Sequence, residues 1–165
     1  MKLELKHLAS YLPYKLKVYH KTFNEHSKIT KSIIEELTTI SYECASFANS
    51  MDYYFEDIED NECDIKPILF PLSSLTEEIT VNGETFVPIE WFEIGDSTND
   101  SLEYDHGNIK LIRSLESLSK NEFVNDINYF PFGVIQKLIE WKIDVFGLIE
   151  AGLAEPVTED FNPYK

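Results

Sequence analysis

The sequence predicts an α+β fold in which a small antiparallel, β-rich N-terminal half packs against a helical C-terminal third. Three observations carry this. Apolar and polar residues alternate with a period of two over residues 14–21, an Asn-Gly dipeptide parts two β-prone triplets within 79–87, and from Ile109 the apolar period lengthens to that of a helix. With 165 residues, 43% of them hydrophobic and 13% aromatic, the chain suffices for one domain with a filled core. Residues 1–165 are therefore assigned to a single domain: 1–94 mainly β with short helices, 95–108 an acidic loop, 109–154 helical, and 155–165 a frayed tail.

Leu5, Leu8 and Leu12 stand at i, i+3 and i+7, the spacing of a short helix, which Pro13 ends. Tyr14, Leu16, Val18 and His20 then alternate with Lys15, Lys17, Tyr19 and Lys21, giving a half-exposed strand with its lysines outward. On the inward face, His20 is expected to be a hydrogen-bonded core histidine rather than a ligand. Ile33, Leu37, Ile40, Cys44, Phe47 and Met51 repeat at three and four, as in a helix. Thr38, Thr39, Ile40 and Tyr42, with Phe47, Tyr53, Tyr54 and Phe55, are strand-favouring types, and two strands are the reading adopted.

Residues 65–71 form a short apolar run containing Pro67 and Pro71, which points to an edge strand or the first residues of a strand. Ser74-Leu75-Thr76-Glu77 has the capping-box order and predicts that a helical turn begins there. Asn82-Gly83 predicts a type I′ hairpin. Ile109, Ile112, Leu115 and Leu118 make one helical stripe. Pro131 can start the next helix, and Phe132, Ile135, Leu138 and Ile139, then Phe146, Leu148 and Ile149, predict two helices broken at Lys142-Ile143-Asp144. Asp144 is the candidate N-cap of the second and Gly152 its stop, while Trp141 and Phe146 flank the break and are expected to be buried.

Charge is the unusual quantity. Thirty Asp and Glu against fourteen Lys and Arg leave a net charge of −16 and a pI near 4.5. Residues 1–31 carry +5, residues 32–109 carry −18 and residues 110–165 carry −3. The acids concentrate in 56–64, with Asp57, Glu59 and Asp60 at its centre, and again at Asp96, Asp100, Glu103 and Asp105. Such a field disfavours direct nucleic-acid binding and attracts basic surfaces. Three readings stay open: solvated loops that confer solubility, a surface that imitates nucleic-acid phosphates, or divalent-cation binding. The run lacks the glycine and terminal glutamate register of an EF-hand loop.

No apolar run approaches the length of a membrane span, and the first residues lack the apolar core of a signal peptide, so a cytoplasmic location and no membrane partner are expected. Cys44 and Cys63 are then reduced packing residues. His7, His20, His26 and His106 offer no helical metal pair. Nucleophile elbows and phosphate-binding glycine loops are missing, and the abundance of acids makes any one carboxylate pair uninformative about hydrolysis. The expectation is a non-enzyme with no cofactor and no metal site. Trp91 and Trp141 are the candidate partner-binding aromatics, since tryptophan is enriched in interface hot spots.

Four blocks of sequence, 6–14, 65–75, 81–88 and 134–149 without Lys142 and Ile143, together resemble small acidic proteins encoded by phages and prophages of gut-type Bacteroidetes. They include Lys6-His7-Leu8-Ala9-Ser10-Tyr11-Leu12-Pro13-Tyr14 and Val81-Asn82-Gly83-Glu84-Thr85-Phe86-Val87-Pro88. The resemblance implies a phage or prophage origin and carries no mechanism. In that group an Arg often stands in place of Phe70 and a His in place of Lys142, so any chemistry at those positions is not shared. The function expected is that of a phage or prophage accessory or structural protein acting by protein–protein contact. The alternatives are an acidic, nucleic-acid-mimicking inhibitor of a host defence or DNA-binding protein, and a metal-dependent hydrolase.

Overall fold

The alternation after Pro13 is realised as strand β1 (Lys17–Phe23), on which Val18 and His20, with Leu16 just before it, are inaccessible to solvent. The structure, a computed structural model, describes residues 2–23, 29–41, 44–48, 53–54, 65–93 and 130–165. The acidic run 56–64, Cys63, the loop 95–108 and the stripe 109–118 lie outside them. Before β1 come the short helix α1 (Leu5–Ala9) and a 3-10 turn (Leu12–Tyr14) that contains Pro13.

The segment with conflicting signals forms strands: β2 (Ile29–Ile40) and β3 (Cys44–Phe47), each antiparallel to its predecessor, followed by β4 (Tyr53–Tyr54). With β5 (Lys66–Leu69) and β8 (Glu155–Pro156) they make a six-stranded sheet in the order β4-β3-β2-β1-β5-β8. Pairing is antiparallel except between β5 and β8. Its inward face presents Val18, His20, Glu35, Leu37, Ala45 and Phe47. The helical spacing of residues 33–51 loses because β-branched and aromatic side chains pack well on a pleated sheet.

Beyond the sheet, β6 (Ile79–Val81) and β7 (Glu84–Phe86) form the expected hairpin, with Asn82 and Gly83 at φ 55° and 83°. Positive φ at both central residues is what a type I′ turn demands. Among the described residues two helices, α2 (Pro88–Glu93) and α3 (Phe132–Glu140), follow the hairpin, the second starting at Pro131 as expected. The α+β class, an antiparallel-rich N-terminal sheet with a helix in the C-terminal part, holds.

Four local expectations are corrected. Of the two expectations for residues 65–71 the edge strand fails, since β5 is flanked by β1 and β8, and the other holds: Pro67 is the second residue of the strand, and pairing with β8 begins past it at Ile68, so the missing proline N–H costs that ladder nothing. Ser74 does not start a helical turn: it lies inside the 3-10 helix Leu72–Thr76, which Pro71 opens, and Glu77 closes it by donating its N–H to the Ser74 carbonyl. No second helix follows Asp144, because Gly147 turns left-handed at φ 70° and the chain continues in turns. The tail is not frayed: Glu155 and Pro156 extend the sheet, and Tyr164 is buried.

Candidate functional site

Trp91 and Trp141, singled out separately in the sequence, stand together. Trp91 lies on α2, whose apolar residues Ile89 and Phe92 face the core. Trp141 caps the C-terminus of α3 and is buried. Their rings meet edge to face with centroids 5.5 Å apart, and Phe92 and Phe86 approach the Trp141 ring at 5.6 and 5.0 Å. Such tilted contacts place a positive ring edge on a negative face. Trp91 nevertheless keeps 50% of its surface exposed.

Lys137 completes this cluster. Its Nζ sits 5.0 Å from the Trp91 ring centroid and 5.5 Å from that of Trp141, while ion-pairing with Glu140 at 2.9 Å. A cation over two indole faces holds the outer ring in one orientation. Lys137 precedes Trp141 by four residues, so the pairing was legible once α3 was assigned. Phe132 is 80% exposed, but it points about 140° around α3 from Lys137 at the helical 100° per residue and belongs to a different surface. Phe146 is only half-buried, less than expected. Asp57, Glu59 and Asp60 lie outside the described residues.

A second group of polar side chains surrounds the end of α3. The Lys142 N–H donates to the Ile139 carbonyl and the Ile143 N–H to that of Leu138, the paired bonds of a Schellman stop. Lys142 occupies the left-handed position at φ 60°, where glycine is usual. Its carbonyl accepts the Phe70 N–H, and Asp144 N–H donates to the Phe70 carbonyl, so the stop is sewn to the end of β5. Asp144 in turn accepts the Leu148 and Ile149 N–H groups at 2.9 and 2.8 Å. It gathers amides as an N-cap would, here around a turn. Burial raises its pKa and these backbone donors oppose the rise.

Lys142 was not singled out as a site by sequence, and nothing but its position one residue past the helix cap could have marked it. The residue is 1% exposed, and its Nζ lies 5.3 Å from the centroid of the Tyr164 ring. Among the described residues it makes no hydrogen bond or ion pair, yet no buried side-chain nitrogen is left unsatisfied. The ammonium instead faces the Tyr164 ring, a cation–π contact. Burial pushes the amine down to about 8; Glu140 and Glu36 hold it up, and Lys15 pushes it further down.

His20 is the core histidine expected of it, its Nε2 3.1 Å from Oε2 of the buried Glu35 and its ring stacked on Phe47. Glu35 was not singled out by sequence, where nothing local marks a buried acid; its neighbour Ile34 points outward. No group of three or more metal-ligating side chains occurs among the described residues, nor does a helix long and apolar enough to cross a membrane. No family model matches the chain, and no curated protein or solved structure matches it either.

Proposed function

We propose that this is a non-enzymatic accessory or structural protein of phage or prophage origin that works by protein–protein contact, with Trp91 as its anchor. The observation that carries the reading is a half-exposed indole already fixed by Trp141 and Lys137. An ordered aromatic loses little side-chain entropy on binding, and tryptophan is the residue type most enriched at hot spots. Immobilised protein and its Trp91→Ala variant, exposed to host lysate at low and high salt, test it. A protein retained by the parent chain at high salt and lost from the variant supports the reading; equal retention by both refutes it.

The charge of −18 over residues 32–109 favours a second reading, an acidic inhibitor that occupies a basic groove on a host defence or DNA-binding protein. Its partner would instead be lost at high salt and would be indifferent to Trp91→Ala.

A further inference from the structure

The hairpin β6–β7 has one covered edge and one bare edge. Along β6 the tail satisfies the outward groups: Asn162 donates to the Thr80 carbonyl at 3.1 Å, and the Tyr164 carbonyl accepts the Asn82 N–H at 2.8 Å. On β7 the outward residue is Thr85. With a two-residue turn at Asn82-Gly83, Val81 opposite Glu84 and Ile79 opposite Phe86 are hydrogen-bonded pairs, and Thr80 opposite Thr85, between them, is not. The side chains of that middle pair are correspondingly close, their hydroxyls 2.9 Å apart. The Thr85 N–H and C=O therefore point away from β6, and among the described residues neither has a partner.

We propose that a partner protein docks here by adding an extended, basic segment to β7 as a third strand. This rests on the protein-contact reading above and specifies the form of the partner. One residue of an antiparallel neighbour fills both free groups of Thr85, the main-chain pairing by which sheet edges take up peptides. Phe86, next on β7, packs on Trp141, which packs on Trp91, so the bare edge and the half-exposed indole belong to one rigid unit. Charge selects the segment. Residues 72–93 hold five glutamates and no lysine, arginine or histidine, and Glu77, Glu78, Glu84 and Glu90 are exposed. Natural edges are commonly blunted by lysine, proline or a bulge. On β7 the one charge is that of Glu84, which attracts lysine and arginine and repels acidic chains, a second copy of this one at −16 included.

The test adds a short, acetylated and amidated peptide of alternating arginine and valine to the full chain and follows amide hydrogen exchange by NMR. The same peptide with its backbone amides N-methylated keeps the charge and cannot pair as a strand. In the free chain the Thr85 amide is expected to exchange fast, and those of Glu84 and Phe86 slowly. Millimolar peptide should slow Thr85 about ten-fold or more, and the methylated form should not. Thr85→Pro removes the outward N–H at a position where an edge tolerates proline. It should bind the peptide about five- to ten-fold more weakly, by calorimetry, than Thr85→Val, which loses the same hydroxyl but keeps the N–H. A Thr85 amide unmoved by the peptide, equal slowing by the methylated form, or equal affinity of the two variants overturns the proposal. Protection of Thr85 already present in the free chain overturns it too, because the chain itself or a second copy would then cover the edge. A host protein lost from immobilised Trp91→Ala but retained by Thr85→Pro overturns strand addition and leaves the contact reading standing.

Discussion

The hydroxyl of Tyr164 donates to the carbonyl of Ile68 across 2.7 Å and accepts the Lys17 N–H at 3.1 Å, so one side chain of the tail closes backbone groups on two neighbouring strands. Its own carbonyl accepts the Asn82 N–H, and Asn162 donates to the Thr80 carbonyl, which ties the same segment to the hairpin. The tail is a clasp between sheet and hairpin. Tyr164→Phe keeps the ring and removes both hydroxyl contacts, leaving a buried carbonyl without its donor. A loss of about 1–3 kcal/mol is expected, read from the urea midpoint. Removing residues 158–165 should cost more, and an unchanged midpoint would return the tail to the frayed state its polar composition suggests.

Lys142 carries two opposing costs that substitutions separate. Lys142→Gly relieves the left-handed backbone by about 1 kcal/mol but loses the packed stem, for a net destabilisation of about 1–2 kcal/mol. Lys142→Met keeps the stem and removes the poorly solvated charge, and it should match or exceed the parent chain at pH 7. The lowered pKa fixes the sign. Between about 8 and the ordinary value near 10.4 the unfolded chain binds more protons, so stability rises with pH. The parent chain should therefore gain on Lys142→Met from pH 7.5 to 9.5. The difference between the two pKa values sets this gain at roughly 1–2 kcal/mol over that window. Denaturation midpoints across that range that stay parallel would contradict it.

What the sequence made legible was local. The alternation around Val18 and the Asn82-Gly83 turn depend on neighbours in the chain, and both appear as expected. The misplaced elements depend on residues far away. Strand β5 looks like an edge until Glu155 and Pro156 arrive beside it, and the tail looks loose until Tyr164 finds Ile68. Glu35 faces inward because a buried histidine two strand positions away supplies the carboxylate with a partner, a pairing across strands that no local pattern announces. The same holds for the candidate site. Trp91 and Trp141 were chosen by residue type, but only the packing of α2 against α3 brings their rings together.

His7 gives an acid limb of stability. Its Nδ1 accepts the Glu4 N–H at 3.0 Å, so the ring is neutral with its proton on Nε2, and burial lowers its pKa. The unfolded chain takes up a proton first, so stability is complete above about 6.5 and falls as pH drops through the depressed folded value. Asp144 has the opposite sign: its raised pKa makes the folded chain protonate first, which adds stability as pH falls toward the ordinary carboxylate value. A decline just below about pH 6.5 is therefore assigned to the histidine. His7→Gln should flatten that limb, and an NMR titration should show the His7 ring resisting protonation; a ring that titrates at or above the usual value contradicts the assignment.

Two tryptophans in unlike surroundings give a direct optical check on the Trp91 surface. Trp141 is buried and Trp91 half-exposed, so acrylamide quenching should resolve two populations. Trp91→Phe should leave one, shielded and blue-shifted. Lys137→Met should increase quenching of the outer indole by releasing its orientation, at a cost of about 0.5–1 kcal/mol for the lost cation–π contacts. A single quenching population in the parent chain would mean that Trp91 is covered.

Salt provides the last test, because screening acts in opposite directions on the charges of this chain. The pairs Lys17–Glu36 and Lys66–Glu155 are part-exposed, and salt weakens them, but such pairs contribute little, about 0–1 kcal/mol each. Repulsion within residues 32–109, at −18, is spread over many carboxylates and is relieved by the same screening. Relief should exceed loss, and the melting temperature should rise between low and moderate sodium chloride. Changing Asp57→Asn, Glu59→Gln and Asp60→Asn together lowers that charge by three. The triple variant should therefore melt higher than the parent at low salt and respond less to added salt. A parent chain whose melting temperature is flat or falls would mean that the acids are far apart or already paired with the lysines of residues 1–31, and the acidic-groove reading would lose its physical basis.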